Sequence, residues 1–167
     1  GLWFERTRTD RQGTCGRCTG QALSVVVYVR VGVSRLGSRA IETEDLLLGL
    51  IRGKKGMTGQ LLGRSKIEHE DIRGEIEART RVREKISTSV EIPLSVESKR
   101  VLAYAAEEAE KMFHKYIGTE HILLGLLREK QSLASRILLE KGMRLTTARE
   151  DLLHLLKEQN LCGQKMD

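Results

Sequence analysis

The chain carries the same sequence pattern twice. Residues 40–53 read AIETEDLLLGLIRG, and residues 116–129 read YIGTEHILLGLLRE. A shift of 76 positions aligns the two stretches without a gap, and the match continues far beyond them, where Arg73 meets Arg149. A match over this length indicates a tandem duplication. The fold is therefore predicted to consist of two copies of one unit of about 75 residues.

Each copy has the pattern of a series of helices. In the second copy, apolar residues between Val101 and Met112 recur every three or four positions and form one helical stripe. Thr119 is predicted as the N-cap of the next helix, with Glu120 in its first turn, where a carboxylate suits the helix dipole. The apolar run that follows is predicted to lie at the centre of the core. Gly49 and Gly125 are predicted to allow close helix crossings.

The composition favours helices over sheet, because aromatic residues make up 4% of the chain and Pro93 is its one proline. Two further helices are predicted over about Ser132–Glu140 and Thr146–Glu158. The predicted fold is all-α, a pseudo-twofold bundle of two four-helix repeats with about eight helices. The predicted division is 1–18 as an atypical N-terminal extension, 19–80 as the first repeat, 81–94 as a linker, 95–160 as the second repeat and 161–167 as a C-terminal tail.

The local sequence of residues 22–37 disagrees with the repeat. This stretch, ALSVVVYVRVGVSRLG, is rich in Val and would be predicted as a strand from propensity alone. Its alignment with the helical stripe of the second copy predicts the first helix of the bundle instead. We predict a helix here, because the repeat is the stronger signal.

Charge and composition exclude several classes of partner. The formal net charge is +6, which raises the question of nucleic acid binding, but residues 1–35 hold six Arg against two acidic residues. The rest of the chain is nearly neutral and its charges are mixed. No apolar run approaches the ~20 residues needed to span a bilayer. Three cysteines, an odd number, argue against a disulfide framework. We therefore expect a cytoplasmic protein that binds neither nucleic acid nor membrane.

No pattern in the chain predicts catalysis, a cofactor or a bound metal. Cys15 and Cys18 form a CxxC, but a zinc site needs four ligands and no second pair completes it. The context of a redox CxxC, a helix start after a strand, is also missing. A metal or redox protein remains an alternative that metal analysis would test. His114 and His121 are predicted as surface or capping residues, and no Ser/His/Asp or Cys/His arrangement frames a nucleophile.

The duplicated motif resembles the Clp amino-terminal (Clp repeat) domain of the ClpC and ClpA class of AAA+ unfoldases. The resemblance extends over roughly residues 19–158, and IPLS at 92–95 resembles the family's lead into its second repeat. It implies a non-enzymatic module that captures protein substrates or adaptors for an ATP-driven unfoldase ring and its peptidase. The motor itself is not expected here, because Gly53-Lys54 lacks the earlier glycine of a phosphate-binding loop.

For ClpC-type members, the resemblance implies a pocket for phosphorylated arginine in each repeat. The carboxylate of the Thr-Glu motif would bind the guanidinium, which implies Glu44 and Glu120. A hydroxyl at the start of each repeat's first helix would bind the phosphate together with backbone N–H groups, which implies Thr19 and Ser95. A structural alternative stays open, in which the two carboxylates are first-turn acids and the two hydroxyls are helix caps.

Two functional hypotheses follow from the resemblance. In the first, the chain is a substrate- or adaptor-recognition module of the Clp protease–chaperone system. In the second, it is a stand-alone accessory protein that docks on a Clp unfoldase or peptidase ring and has no ligand pocket. A monomer is expected in either case, because the two repeats bury each other's apolar faces.

Overall fold

The structure, a computed structural model, describes residues 40–52, 57–79 and 94–164, with the backbone alone for 160–164. The secondary structure of the described part consists of helices joined by turns and loops, apart from one isolated parallel bridge between Ile41 and Leu94. Its helices are α1 (Thr43–Ile51), α2 (Met57–Arg64), α3 (His69–Arg79), α4 (Val96–Lys111), α5 (Thr119–Arg128), α6 (Leu133–Glu140) and α7 (Leu145–Gln164). The all-α prediction is confirmed. The helix predicted for 22–37 and most of the predicted linker lie outside the described residues.

The duplication seen in the sequence is also present in the helices. Helices α5, α6 and α7 each begin 76 positions after the corresponding helix of the first repeat, which is α1, α2 or α3. Those pairs of first residues are Thr43 and Thr119, Met57 and Leu133, and His69 and Leu145. The two copies of the unit therefore place these three helices at the same positions in the repeat, and α4 is the first helix of the second repeat.

The repeated Leu-rich helices form the centre of the core. Nine of the ten residues of α5 are buried, and so are seven of the nine residues of α1. Helix α5 contacts α1, α2, α4, α6 and α7, while α1 contacts α2 to α6. Burial on all sides explains why these segments are apolar around the whole helix instead of along one stripe. Among the described residues, no helix is long and apolar enough to cross a membrane.

Helices α4 and α5 meet at Gly125, as predicted for this glycine. A Cβ atom placed on Gly125 would collide with the backbone carbonyl oxygen of Val101 and would lie 3.2 Å from the backbone nitrogen of Ala105. The absence of a side chain at Gly125 therefore sets how closely the two backbones approach. The counterpart crossing predicted at Gly49 involves residues outside the described part of the chain.

Two predicted helix boundaries were wrong. Thr119 is the first residue of α5, and Gly118 before it is the N-cap, with an extended backbone at φ −99° and ψ 176°. The cap forms there because the side chain of His121 accepts a hydrogen bond from the N–H of Gly118. Helix α7 begins one residue earlier than predicted and continues to Gln164, into residues predicted as a tail.

A buried carboxylate links α4 to α7 and α5. The side chain of Glu108 is 1% exposed and accepts from Arg149, whose Nε lies 3.1 Å from Oε2 and whose Nη2 contacts Oε1. Arg128 of α5 lies 3.5 Å from the same carboxylate and 2.7 Å from that of Glu107. Because a buried charge is costly unless it is paired, these two arginines make the burial of Glu108 possible.

The Gly125 contact yields a stability prediction. We expect Gly125→Ala to lower the free energy of unfolding by about 2 kcal/mol, because backbone atoms of α4 cannot move aside as a flexible side chain could. Gly74→Ala is the matched control. It lies on the exposed side of α3 with nothing within 4 Å of its added Cβ. The control should raise stability by ~0.5–1 kcal/mol through helix propensity. Urea unfolding of both variants measures the difference, and equal effects would contradict the close-contact explanation.

Candidate ligand-binding site at the helix starts

The starts of α1 and α4 lie side by side. The backbone carbonyl of Ile41 accepts a hydrogen bond of 3.0 Å from the N–H of Ser95 and one of 2.7 Å from the hydroxyl of Ser98. The parallel bridge between Ile41 and Leu94 belongs to the same contact. Two helix N-termini, one from each repeat, are therefore held together at this junction. We name residues 41–45 and 94–98 the α1–α4 junction.

Ser95 is the N-cap of α4. Its hydroxyl oxygen accepts from the N–H of Ser98 at 3.1 Å, and its own proton can be donated to the hydroxyl of Ser98 at 3.0 Å. In the first turn of α4, Val96 is exposed, Glu97 is half-buried and Ser98 is fully buried, so this turn is partly open to solvent. The structure thus gives Ser95 the capping role that the sequence left as an alternative, at a helix start that a ligand could reach.

Glu44 lies in the first turn of α1 on the other side of the junction. It is half-buried, and the hydroxyl of Thr43 lies 3.4 Å from its Oε2. The neighbouring Asp45 accepts from the N–H of Glu42 at 2.9 Å and so caps the helix start. Three carboxylates in four residues make this end of α1 acidic, which suits both the helix dipole and a cationic ligand.

Glu120 has a different setting from Glu44. Its side chain is folded back over Gly118, so that a Cβ atom on Gly118 would lie 2.5 Å from Oε2, and the residue is 8% exposed. In the first repeat the position equivalent to Gly118 is Glu42, which has a side chain of its own. The space that the carboxylate of Glu120 fills is therefore specific to the second repeat.

The structure brings Ser95 to the first repeat's Thr-Glu motif and not to that of its own repeat. Glu120 follows the loop after Lys111, the last residue of α4, whereas Ser95 precedes the first residue of that helix. The two residues are thus at opposite ends of the α4 segment. Thr19, the other predicted hydroxyl, lies outside the described residues.

Sequence reasoning missed the buried position of His121. It is fully buried, and its Nδ1 accepts from the N–H of Gly118 at 2.8 Å. The proton of the neutral ring must then be on Nε2, which lies 2.8 Å from Nδ1 of His114 and donates to it. Burial, together with the nearby His114, lowers the pKa of His121 to about 4. Capping was one of the two roles predicted for His121 and is confirmed, whereas its full burial was not predicted.

No metal centre is evident in the structure. Across 40–52, 57–79 and 94–159, no group of three or more His, Cys, Asp and Glu residues could hold a metal ion. The CxxC of Cys15 and Cys18 lies outside the described residues, so the metal and redox alternative rests on the sequence alone.

Comparison with known proteins places the duplicated motif in a family. A family model described as the Clp repeat (R) N-terminal domain matches residues 22–141. The chain belongs to this family. The ATP-dependent Clp protease ATP-binding subunit ClpA homolog of Guillardia theta is 38% identical to this Clp N-domain over 140 residues, which are 84% of this chain and 17% of that protein.

A second relative and a solved structure agree with this placement. The negative regulator of genetic competence ClpC/MecB of Bacillus subtilis is 36% identical over 141 residues, again 84% of this Clp N-domain and 17% of the relative. The crystal structure of the N-terminal domain of ClpD from Arabidopsis thaliana matches with a TM-score of 0.65 and 28% identity, covering 84% of this chain and 95% of that one. The chain thus spans about one sixth of the length of these two relatives (17%) and nearly all of an isolated Clp N-domain.

The lowered pKa of His121 predicts pH-dependent stability. An unfolded histidine binds a proton near pH 6.5, but the folded one does so only near pH 4. Between these values the unfolded chain binds more protons, so the contribution is fully present above about pH 6.5 and is lost as the pH falls towards 4. We expect a loss of up to about 3 kcal/mol across this window in urea unfolding.

A variant pair isolates this histidine. His121→Asn retains an acceptor for the N–H of Gly118 but does not titrate, so its stability should depend less on pH in this window than that of the wild type. His154→Asn removes an exposed histidine and should keep the wild-type pH dependence. An unchanged slope in His121→Asn would show that other groups cause the pH dependence.

Proposed function

We propose that this Clp N-domain is a protein-recognition module without enzyme activity, which binds substrates or adaptors for a Clp unfoldase and its peptidase. Membership of the family supports this proposal. The relatives are described as a ClpA-type ATP-binding subunit and as ClpC/MecB, and this chain matches 17% of each of them. A Clp ring is accordingly the partner we propose, with this domain as its monomeric recognition part.

We further propose that the ligand group is phosphorylated arginine and that the α1–α4 junction binds it. The observation that carries the proposal is the pairing of two helix starts through the carbonyl of Ile41. One start supplies a carboxylate, Glu44, which can accept a charge-assisted hydrogen bond pair from a guanidinium. The other supplies Ser95 and the partly open first turn of α4, where backbone N–H groups and the helix dipole favour a phosphate and the carboxylate of Glu97 opposes it. The positive guanidinium of the ligand would thus bind at Glu44, and its negative phosphate at the start of α4.

The second proposed site, at Glu120, requires a change in its side chain. The carboxylate now folds over Gly118 and would have to turn outward to meet a guanidinium. The hydroxyl predicted for this site from the sequence is Ser95, but Ser95 lies at the opposite end of α4. We therefore expect the α1–α4 junction to bind more tightly than the site at Glu120.

One observation favours the alternative of a docking protein without a ligand pocket. The hydroxyl of Ser95 is already engaged with both the N–H and the hydroxyl of Ser98. A phosphate would have to compete with this cap or use the remaining N–H groups alone. In this alternative, Glu44 and Ser95 only stabilise helix starts, and the domain binds a Clp ring through its surface.

Calorimetric titration of free phosphoarginine tests the proposal. We expect saturable binding to the wild type and weaker or no binding of arginine and phosphoserine. Glu44→Gln should weaken binding about tenfold or more, because the side chain keeps its shape but loses its charge. Glu42→Gln is the matched control, since it removes a neighbouring charge at the same helix start, and its effect should be several-fold smaller. Glu120→Gln reports on the second site.

The possible outcomes separate the two functions. Loss of binding in Glu44→Gln but not in Glu42→Gln would support a pocket at the junction. Absence of phosphoarginine binding to the wild type would reject the pocket, and retention of a purified Clp unfoldase or peptidase on the immobilised domain would then support the docking alternative. Equal effects of the Glu42 and Glu44 variants would indicate general electrostatic attraction instead of a specific contact.

A further inference from the structure

The loop between α4 and α5 holds an aromatic side chain in a costly position. The side chain of Phe113 is 93% exposed, and its backbone lies in the left-handed region, with φ +59°. Lys66, at φ +58°, is the other non-glycine residue with positive φ in the described part. Its charged side chain is exposed and is well solvated there. A large apolar side chain with backbone strain and no burial does nothing for the stability of the fold.

The internal repeat shows that the fold does not need this residue. The position equivalent to Phe113 in the first repeat is Gly37, the residue type best suited to a left-handed backbone. The position equivalent to Tyr116 is Ala40. The two aromatic residues are thus a feature of the second repeat alone, and their role is to be sought in binding.

The ring of Tyr116 is supported by neighbouring side chains. The ring of Tyr116 is 45% exposed and stacks on that of His114, with centroids 5.6 Å apart and an angle of 4° between the planes. His114 is in turn hydrogen-bonded to the buried His121. Phe113 and Tyr116 are therefore two exposed rings of one loop, and the ring of Tyr116 is supported by its stacking on His114. Such preorganised aromatic residues are common anchors of protein interfaces.

The exposed charged side chains of this loop are basic. Lys111 and Lys115 are exposed and form no ion pair with any residue in the described ranges, and residues 111–116 contain no acid. Two acids of α4 lie nearby, of which Glu107 is paired with Arg128, and Glu110 also has an interaction partner. A partner that fits must cover apolar rings and neutralise two ammonium groups. We call residues 111–116 the aromatic–basic loop.

We propose that the aromatic–basic loop is a docking site for acidic protein segments that carry large apolar side chains. The apolar side chains would pack on Phe113 and Tyr116, and carboxylates would pair with Lys111 and Lys115. The site lies at the end of α4 opposite to the α1–α4 junction and requires no phosphate, so it goes beyond the proposed function. Its small area predicts weak, salt-sensitive binding.

Fluorescence anisotropy with a labelled peptide of alternating Asp or Glu and Leu or Phe tests this inference. We expect saturable binding to the wild type, weakened by salt. A companion peptide with Lys in place of the acids, and another with Ser in place of the apolar residues, should bind at least about tenfold more weakly. Phe113→Gly should weaken binding of the acidic peptide to a similar extent while its melting temperature stays equal or rises, because glycine removes the strain. Lys111→Glu with Lys115→Glu should also weaken it.

Two matched controls separate binding from stability. Lys66→Gly relieves the other left-handed backbone without touching the loop, and Leu139→Ser removes a different exposed apolar side chain. Both should bind the peptide like the wild type. Phe113→Asn, which also tolerates a left-handed backbone, serves if the glycine variant does not fold.

The inference is overturned if the wild type does not bind the acidic peptide, or if neither Phe113 variant weakens binding. It is also overturned if both Phe113 variants melt at lower temperature, since that would give the residue a structural role. Phosphoarginine titration of Phe113→Gly should match the wild type. The proposal for the α1–α4 junction and the proposal for the aromatic–basic loop can therefore be rejected independently of each other.

Discussion

The approach of α4 to α5 at Gly125 determines much of the described structure. Because no Cβ separates the backbones, α5 lies close against α4 and is covered on its other sides by four more helices. Full burial in turn requires that every polar group of α5 has a partner. At its start, His121 accepts from Gly118, and at its end Arg128 shares the carboxylates of α4. The polar contacts of this helix are thus a consequence of its apolar packing.

The carbonyl of Ile41 plays a corresponding role between the repeats. A single backbone acceptor receives the N–H of Ser95 and the hydroxyl of Ser98, so the chain leading into α1 is tied to the start of α4. Two helix starts are brought together, and their partial positive charges add. Glu44 and Asp45 in the first turn of α1 and Glu97 in the first turn of α4 offset part of this charge. A ligand that is both cationic and anionic is suited to such a junction.

The fold was more predictable than the site, for physical reasons. The repeated Leu-rich motif predicted the central helices, because burial on all sides leaves an apolar sequence that differs from any surface helix. The pairing of Ser95 with the first repeat was not predictable from spacing, because the contact joins residues 41 and 95, which are far apart in the sequence. His121 was predicted as a surface or capping residue, and only the structure shows that it is fully buried.

Asp45 and His121 occupy equivalent positions of the two repeats, and both accept a hydrogen bond from the backbone N–H of the N-cap residue. A carboxylate, Asp45, caps α1, whereas the neutral ring of His121 caps α5. The histidine has a second nitrogen, and this nitrogen extends the cap to His114 and so to the ring of Tyr116. His114 therefore connects the buried His121 to the partly exposed ring of Tyr116.

The two proposed sites are separated by a rigid element of known length. Helix α4 has 16 residues. At 1.5 Å per residue it is about 24 Å long, with the α1–α4 junction at one end and the aromatic–basic loop at the other. One side chain cannot reach both, but an extended segment of about seven residues can. If both proposed sites bind one segment, the two contacts would raise each other's effective concentration and would favour long extended segments over short ones.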